Sequence, residues 1–168
     1  MDIYVLRHGD AEERREDLAE ADRKLTPKGM RDVQRVVRLA AAVGITPELV
    51  LTSPYVRALD SAQIAVGVLQ PKPALEKTED LLPHIRPEQV WNLLRTHSRA
   101  KGILLSGHEP QLSRLVALLL DCPSLRFDFK KGALVRIRIG DTPQPHGELK
   151  WVITPALARG ARHVGASA

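Results

Sequence analysis

The chain has 168 residues, 43% of them hydrophobic, enough for one globular domain with a real core. No run of about 18 apolar residues is present to cross a membrane, and the single cysteine, Cys122, excludes an intrachain disulfide and a thiolate metal cluster. The net charge of +5 is carried by residues 126–168, which hold eight basic and three acidic side chains; aromatics are only 4% and interleave with no basic run, so nucleic-acid binding is not expected.

The first apolar run, Ile3-Tyr4-Val5-Leu6, reads as a buried strand over residues 2–7. A charged loop follows to Lys24, with Glu12 to Asp17 expected as solvated surface and Arg14, Arg15 and Arg23 as the less favoured substrate contacts. A helix is expected over about 27–43, with Met30, Val33, Val36, Val37, Ala40 and Ala41 on one apolar stripe. Next come a strand at 49–52 and a helix over about 54–69, with Tyr55, Leu59, Ala62, Val66 and Leu69 inward. Thr26-Pro27 and Ser53-Pro54 each read as an N-cap followed by proline at the first helical position, where the missing N–H costs nothing.

Beyond the Pro71-Lys72-Pro73 connector, a short strand is expected near Leu75, a helix over about 87–97, a strand at 102–106 and a helix over about 110–120. Two strands at 133–139 and 148–153, joined by a turn around Pro143 and Gly147, close the domain. In the first of them Val135, Ile137 and Ile139 alternate with Arg136 and Arg138, which suits a half-exposed strand near an edge. Strands alternating with helices imply an α/β fold: a mostly parallel central sheet with helices on both faces. Residues 1–155 are expected to form one domain, and the Ala/Gly/Arg-rich tail over 156–168 to fray.

Three of the strands end in residues that carry chemistry. Arg7-His8-Gly9-Asp10 closes the first, Ser53-Pro54-Tyr55-Val56-Arg57 follows the second, and Ser106-Gly107-His108-Glu109-Pro110 follows Ile103-Leu104-Leu105. The carboxyl edge of an open α/β sheet is where such folds bind ligands. Two arginines and two histidines gathered there describe a pocket for a phosphoryl group. Arg57 and His108 both fall at helix starts, where the macrodipole disfavours a cation by about 0.3–1 kcal/mol unless an anion is bound. Nearby Arg7 and Arg57 oppose protonation of His8 and so leave it free to attack. The same arginines would repel a dication, and no His-Glu-x-x-His pattern is present, so no metal and no other cofactor is expected.

These motifs resemble those of the histidine phosphatase superfamily, and most closely its small SixA-type phosphohistidine phosphatases. The resemblance rests on Arg7-His8-Gly9, Ser53-Pro54-Tyr55-Val56-Arg57, Gly107-His108 and the Leu25-Thr26-Pro27-Lys28-Gly29 stretch, and spans Met1 to about Trp151. It implies a phosphoglycerate mutase-like fold in which His8 is the nucleophile and Arg7, Arg57 and His108 hold the phosphoryl oxygens. It also implies a phosphorylated protein, or a small phosphorylated molecule, as substrate.

The proton donor separates those substrates. Ester-hydrolysing branches of the superfamily supply a Glu or Asp after the second helix, whereas the Leu-x-Pro context of Leu81-Leu82-Pro83 resembles the SixA branch, which lacks a clear counterpart. Asp10, Glu79 and His84 are the weak candidate donors, with Asp80 beside them. A phosphohistidine needs less help, because its imidazole can leave largely protonated at neutral pH. The reading is therefore a metal-independent phosphohistidine phosphatase. A phosphomonoesterase for a small metabolite and a non-catalytic phosphate-binding module stand as alternatives. The chain opens with Asp2 and a strand and lacks a basic-then-apolar signal pattern, so a cytoplasmic protein is expected. The oligomeric state is left open, with a monomer expected.

Overall fold

The computed structural model describes residues 1–140 and 144–164, the last three of these by backbone alone. Its six strands are β1 (Asp2–Arg7), β2 (Leu49–Thr52), β3 (Ala74–Lys77), β4 (Gly102–Gly107), β5 (Leu134–Ile139) and β6 (Gly147–Ile153). They form one sheet in the order β3-β2-β4-β1-β5-β6. The four strands β3, β2, β4 and β1 are mutually parallel, while β5 runs antiparallel to both β1 and β6. The mostly parallel sheet expected from the sequence is therefore present.

Five α-helices cover it: α1 (Pro27–Ala42), α2 (Val56–Val68), α3 (Pro87–Thr96), α4 (Gln111–Leu119) and α5 (Pro155–Val164). Strand alternation divides the core between the two faces. Ile3, Val5, Ile103 and Leu105 pack with Val90, Leu94, Leu112 and Leu115 from α3 and α4. Tyr4, Leu6, Val50 and Leu104 pack with Val33, Val36, Val37, Ala62, Ala65 and Ala158 from α1, α2 and α5. Arg136 and Arg138 of β5 both reach the Asp2 carboxylate, at 2.9–3.4 Å, which explains how a next-to-edge strand carries two cations.

Four expectations need correction or completion. Residues 155–164 form a helix rather than a frayed tail. The Thr154 hydroxyl accepts from the Leu157 N–H at 3.3 Å, Ala158 is buried against α1, and Arg159 reaches Asp32 at 3.0 Å. Ser53-Pro54 does not open α2, whose N-cap is Tyr55 with no side-chain cap bond, although Thr26-Pro27 does open α1 as expected. Met30 is 44% exposed, because α1 is held to the sheet by Val33, Val36, Val37 and Ala40 one turn further on. Finally, Pro143 of the turn before Gly147 lies outside the described residues, as do residues 165–168.

Candidate active site

The register of the sheet puts three strand ends at one level. Arg7 stands opposite Gly107 across β1 and β4, and Thr52 opposite Ser106 across β2 and β4. The next residues, His8, Ser53 and His108, thus emerge together at the carboxyl edge, and Arg57, the second residue of α2, meets them there. Beneath His8 the backbone runs so close to α1 that a β-carbon on Gly9 would lie 2.8 Å from the Gly29 carbonyl oxygen, which leaves room only for glycine.

The hydrogen-bond partners fix the tautomer of His8 and engage one nitrogen of His108. Nδ1 of His8 lies 2.7 Å from the Gly9 carbonyl oxygen, which can only accept, so Nδ1 carries the proton. Nε2 then presents its lone pair, and the Nε–H of Arg57 donates to it at 3.3 Å. His108 lies with its ring centroid 5.0 Å from that of His8, and its Nε2 is 2.9 Å from the Ser53 hydroxyl. When that hydroxyl donates to Nε2, the proton of His108 sits on Nδ1, a buried atom with no protein partner.

Burial dominates the electrostatics of both rings. It pushes His8 down to about 3, with Arg57, Arg7 and Lys131 adding to the fall against the opposing Gly9 hydrogen bond. It pushes His108 down to about 2, helped by His8, Arg57 and Arg7. Both imidazoles are therefore neutral at physiological pH. Arg7 donates through one terminal nitrogen to the Phe129 carbonyl, while its buried Nε has no partner. The edge thus assembles a neutral imidazole whose lone pair is held only by the Arg57 N–H, two guanidinium groups and an unpaired N–H, the elements needed to bind an oxyanion and attack its centre.

All four residues singled out in the sequence, Arg7, His8, Arg57 and His108, are brought together, and three further side chains join them. Ser53, fully buried, holds His108. Ser61 accepts from the Gly9 N–H at 3.1 Å and donates to the Arg57 carbonyl at 2.7 Å, tying the strand end to α2. Glu20, in a 3-10 turn at Glu20–Asp22, pairs with Arg57 at 2.9 Å and with Arg14 and Arg23 at 3.1 and 2.9 Å. Ser61 could have been noticed as a hydroxyl one turn after Arg57. Glu20 carried no local signal, because its partner is 37 residues away.

The candidate donors behave differently from one another. Asp10 is bound by Lys131 at 2.8 Å and by the Thr26 hydroxyl at 3.3 Å; its carboxyl is held below the usual range by Lys131, against the effect of burial, which suits an ion rather than an acid. Glu79 and His84 are exposed. Asp80 is half-buried, and its carbonyl accepts from the buried Gln111 of α4 at 2.6 Å, three residues beyond His108.

The architecture is phosphoglycerate mutase-like, a mixed α/β fold with a six-stranded central sheet. Residues 3–82 match the model of the histidine phosphatase superfamily (branch 1), so the resemblance carried by the motifs at His8 and Arg57 is upheld over that span. The structure is similar to that of the protein histidine phosphatase SixA complexed with tungstate, with a TM-score of 0.83, 23% identity, and coverage of 93% of this chain and 98% of that one. It is also similar to a putative alpha-ribazole-5'-P phosphatase from Escherichia coli, with a TM-score of 0.73, 19% identity, and coverage of 92% and 97%. An uncharacterised protein of Picosynechococcus is 28% identical over 144 residues, 83% of this chain and 86% of its own. Among the described residues no helix is long and apolar enough to cross a membrane, and no group of three or more His, Cys, Asp or Glu side chains is arranged to hold a metal ion.

Proposed function

We propose that this protein is a phosphohistidine phosphatase that works through a phosphorylated His8 and needs no metal. The observation that carries the reading is the pairing of the His8 Nε2 lone pair with two buried, partnerless nitrogens, Nε of Arg7 and Nδ1 of His108. A buried polar group left unsatisfied costs about 1–3 kcal/mol, and a phosphoryl oxygen would satisfy both. The tungstate complex formed by a protein of the same fold supports an oxyanion as ligand.

In the first step Nε2 of His8 attacks phosphorus in line. The bond from phosphorus to the substrate imidazole breaks, and its electron pair stays on that imidazole, which takes a proton from solvent. Arg7, Arg57 and the Nδ1–H of His108 hold the equatorial oxygens as their charge shifts. In the second step water attacks phosphorus, the bond to Nε2 breaks, a proton passes to solvent, and inorganic phosphate leaves. Positive charge comes from the two arginines, so no metal is required. A small phosphomonoester is the second reading, favoured by the link from Gln111 to the Asp80 backbone carbonyl, which ties one residue of the expected donor region to the helix that follows His108.

The test is to quench the enzyme within its first turnovers on a 32P-phosphohistidine peptide after exhaustive EDTA treatment. Acid-labile label on His8, absent from His8→Ala, supports the reading. Turnover that returns only with added Mg2+, Mn2+ or Zn2+ overturns metal independence. Full activity in His8→Ala overturns the covalent route.

A further inference from the structure

Every nitrogen of the Arg57 guanidinium is already engaged: Nε donates to His8, one terminal nitrogen donates to the Glu20 carbonyl at 2.7 Å, and the other is ion-paired with the Glu20 carboxylate at 2.9 Å. The Arg57 side chain is 5% exposed, whereas that of Glu20 is 37% exposed. A carboxylate reaching in from the solvent side on a short turn thus occupies the buried cation that the phosphoryl pocket needs. It presents one carboxylate oxygen and its own backbone carbonyl to the guanidinium, in the place phosphoryl oxygens would take.

The same carboxylate has somewhere else to go. Oε2 of Glu20 is 3.1 Å from Nε of Arg14, and both oxygens lie within 3.1 Å of a terminal nitrogen of Arg23. Arg23 is itself anchored to the Glu12 carbonyl at 2.5–2.7 Å. Giving up Arg57 would therefore leave Glu20 paired twice, with the exposed Arg14, where ion pairs exchange at little cost, and with the more enclosed Arg23. Arg57 cannot do without a counter-anion as easily, because it is buried.

We propose that Glu20 is a gate on the phosphoryl pocket: an internal carboxylate that competes with phosphate for Arg57 and keeps small free phosphates, including the product, weakly bound. The proposal rests on the reading that Arg57 holds phosphoryl oxygens. An anion that enters must displace Glu20, so its apparent affinity falls by the fraction of molecules in which Arg57 is already taken. Inorganic phosphate has only the pocket to offset that cost. A phosphoryl group carried on a peptide meets the same cost but has contacts outside the pocket to offset it, so it still binds where free phosphate is held only weakly.

Binding of inorganic phosphate and of orthovanadate by calorimetry tests this, in wild type, Glu20→Gln, Glu20→Ala, Asp17→Asn and Arg57→Ala. Asp17 is an exposed carboxylate of the same loop, paired with Arg15 at 3.3 Å, and controls for the loss of one negative charge. Both Glu20 variants are expected to bind phosphate more tightly, on the order of tenfold if Arg57 is taken nine times in ten. Asp17→Asn should stay within about twofold of wild type, since exposed charges are screened. Unchanged or weaker binding in the Glu20 variants, with binding still lost in Arg57→Ala, overturns the gate alone and makes Glu20 a clamp on Arg57. Equal tightening in Asp17→Asn also overturns it, because general charge would then account for the effect. Normal phosphate binding in Arg57→Ala overturns the gate together with the pocket on which it rests.

Discussion

The Nε–H of Arg57 points at Nε2 of His8 across 3.3 Å, joining the start of α2 to the end of β1 through the lone pair that would attack phosphorus. This contact helps keep His8 unprotonated. Attack on phosphorus must break it, so Arg57 has to transfer its donor from Nε2 to the substrate as the nucleophile engages.

Arg57→Lys should therefore fail where a simple charge would suffice. An ammonium supplies one point of charge and cannot serve His8 and an oxyanion through separate, rigidly spaced nitrogens. We expect kcat/KM to fall by about 100-fold or more, in the range seen when one oxyanion donor is removed. The thermal shift given by vanadate should shrink with it, because that shift scales with affinity. The melting temperature without ligand should change little, since Glu20 keeps Arg14 and Arg23 as partners. A lysine variant with near-normal kcat/KM would make the fork irrelevant.

The two buried histidines set a pH dependence of stability. Their folded values, about 3 for His8 and about 2 for His108, lie below the ordinary value of about 6.5. Below about pH 6.5 the unfolded chain takes up protons on both rings that the folded chain refuses, so stability falls as pH drops through this window toward the folded values. Each ring contributes a slope of up to about 1.4 kcal/mol per pH unit. Urea unfolding at pH 7, 6 and 5 should show the decline, and the double variant His8→Asn, His108→Asn should flatten it. An equal slope in wild type and double variant would mean that the folded rings take up protons freely.

Gly29 offers a test of how the His8 strand end is held. A β-carbon there would lie 2.0 Å from the Asp10 carbonyl oxygen and 2.7 Å from the Asp10 nitrogen. Gly→Ala inside an exposed helix is normally stabilising by about 1 kcal/mol, but here the sign should reverse. Backbone cannot yield as a flexible side chain does, so Gly29→Ala should cost at least about 2 kcal/mol and lower turnover as well, by shifting the segment that follows His8. A variant of unchanged or higher stability, read by urea midpoint, would show that α1 can slide away from β1.

Much of this was legible in the sequence because it is local. Strand-end motifs fix which residues leave the sheet at one edge, and parallel register then brings Arg7, His8, Arg57 and His108 together without further information. The capping rule holds at Thr26-Pro27 and equally at Thr154-Pro155, where the same pair opens α5 inside an Ala/Gly/Arg-rich segment whose composition resembles a loose tail. The rule failed at Ser53-Pro54 because the Ser53 hydroxyl is committed to His108 and accepts only a 3.3 Å bond from Tyr55. Glu20 was unreadable for a different reason: nothing in a run of surface charges marks the one carboxylate that folds back onto a residue in another element.

Substrate preference follows from leaving-group chemistry in a site with poor acids. Asp10 is tied up as an ion by Lys131, while Glu79 and His84 are exposed to solvent. An imidazole, with a conjugate-acid value of about 6.5, can leave protonated from water, whereas an alkoxide needs a well-placed donor. At neutral pH, kcat/KM should therefore run phosphohistidine peptide, then aryl phosphate, then phosphates of primary alcohols. Removing Glu79, Asp80 or His84 singly should leave phosphohistidine turnover largely intact. Asp80 is the one to watch, since its backbone is bonded to Gln111 beside the His108 segment. If an alkyl phosphate is the best substrate and Asp80→Asn selectively removes its turnover, Asp80 is a general acid and the protein is a metabolite phosphatase. If instead the order holds and Asp80→Asn is silent, the chemistry is that of a phosphoramidate, in which protonation from solvent suffices and the pocket need only hold and polarise the transferred group.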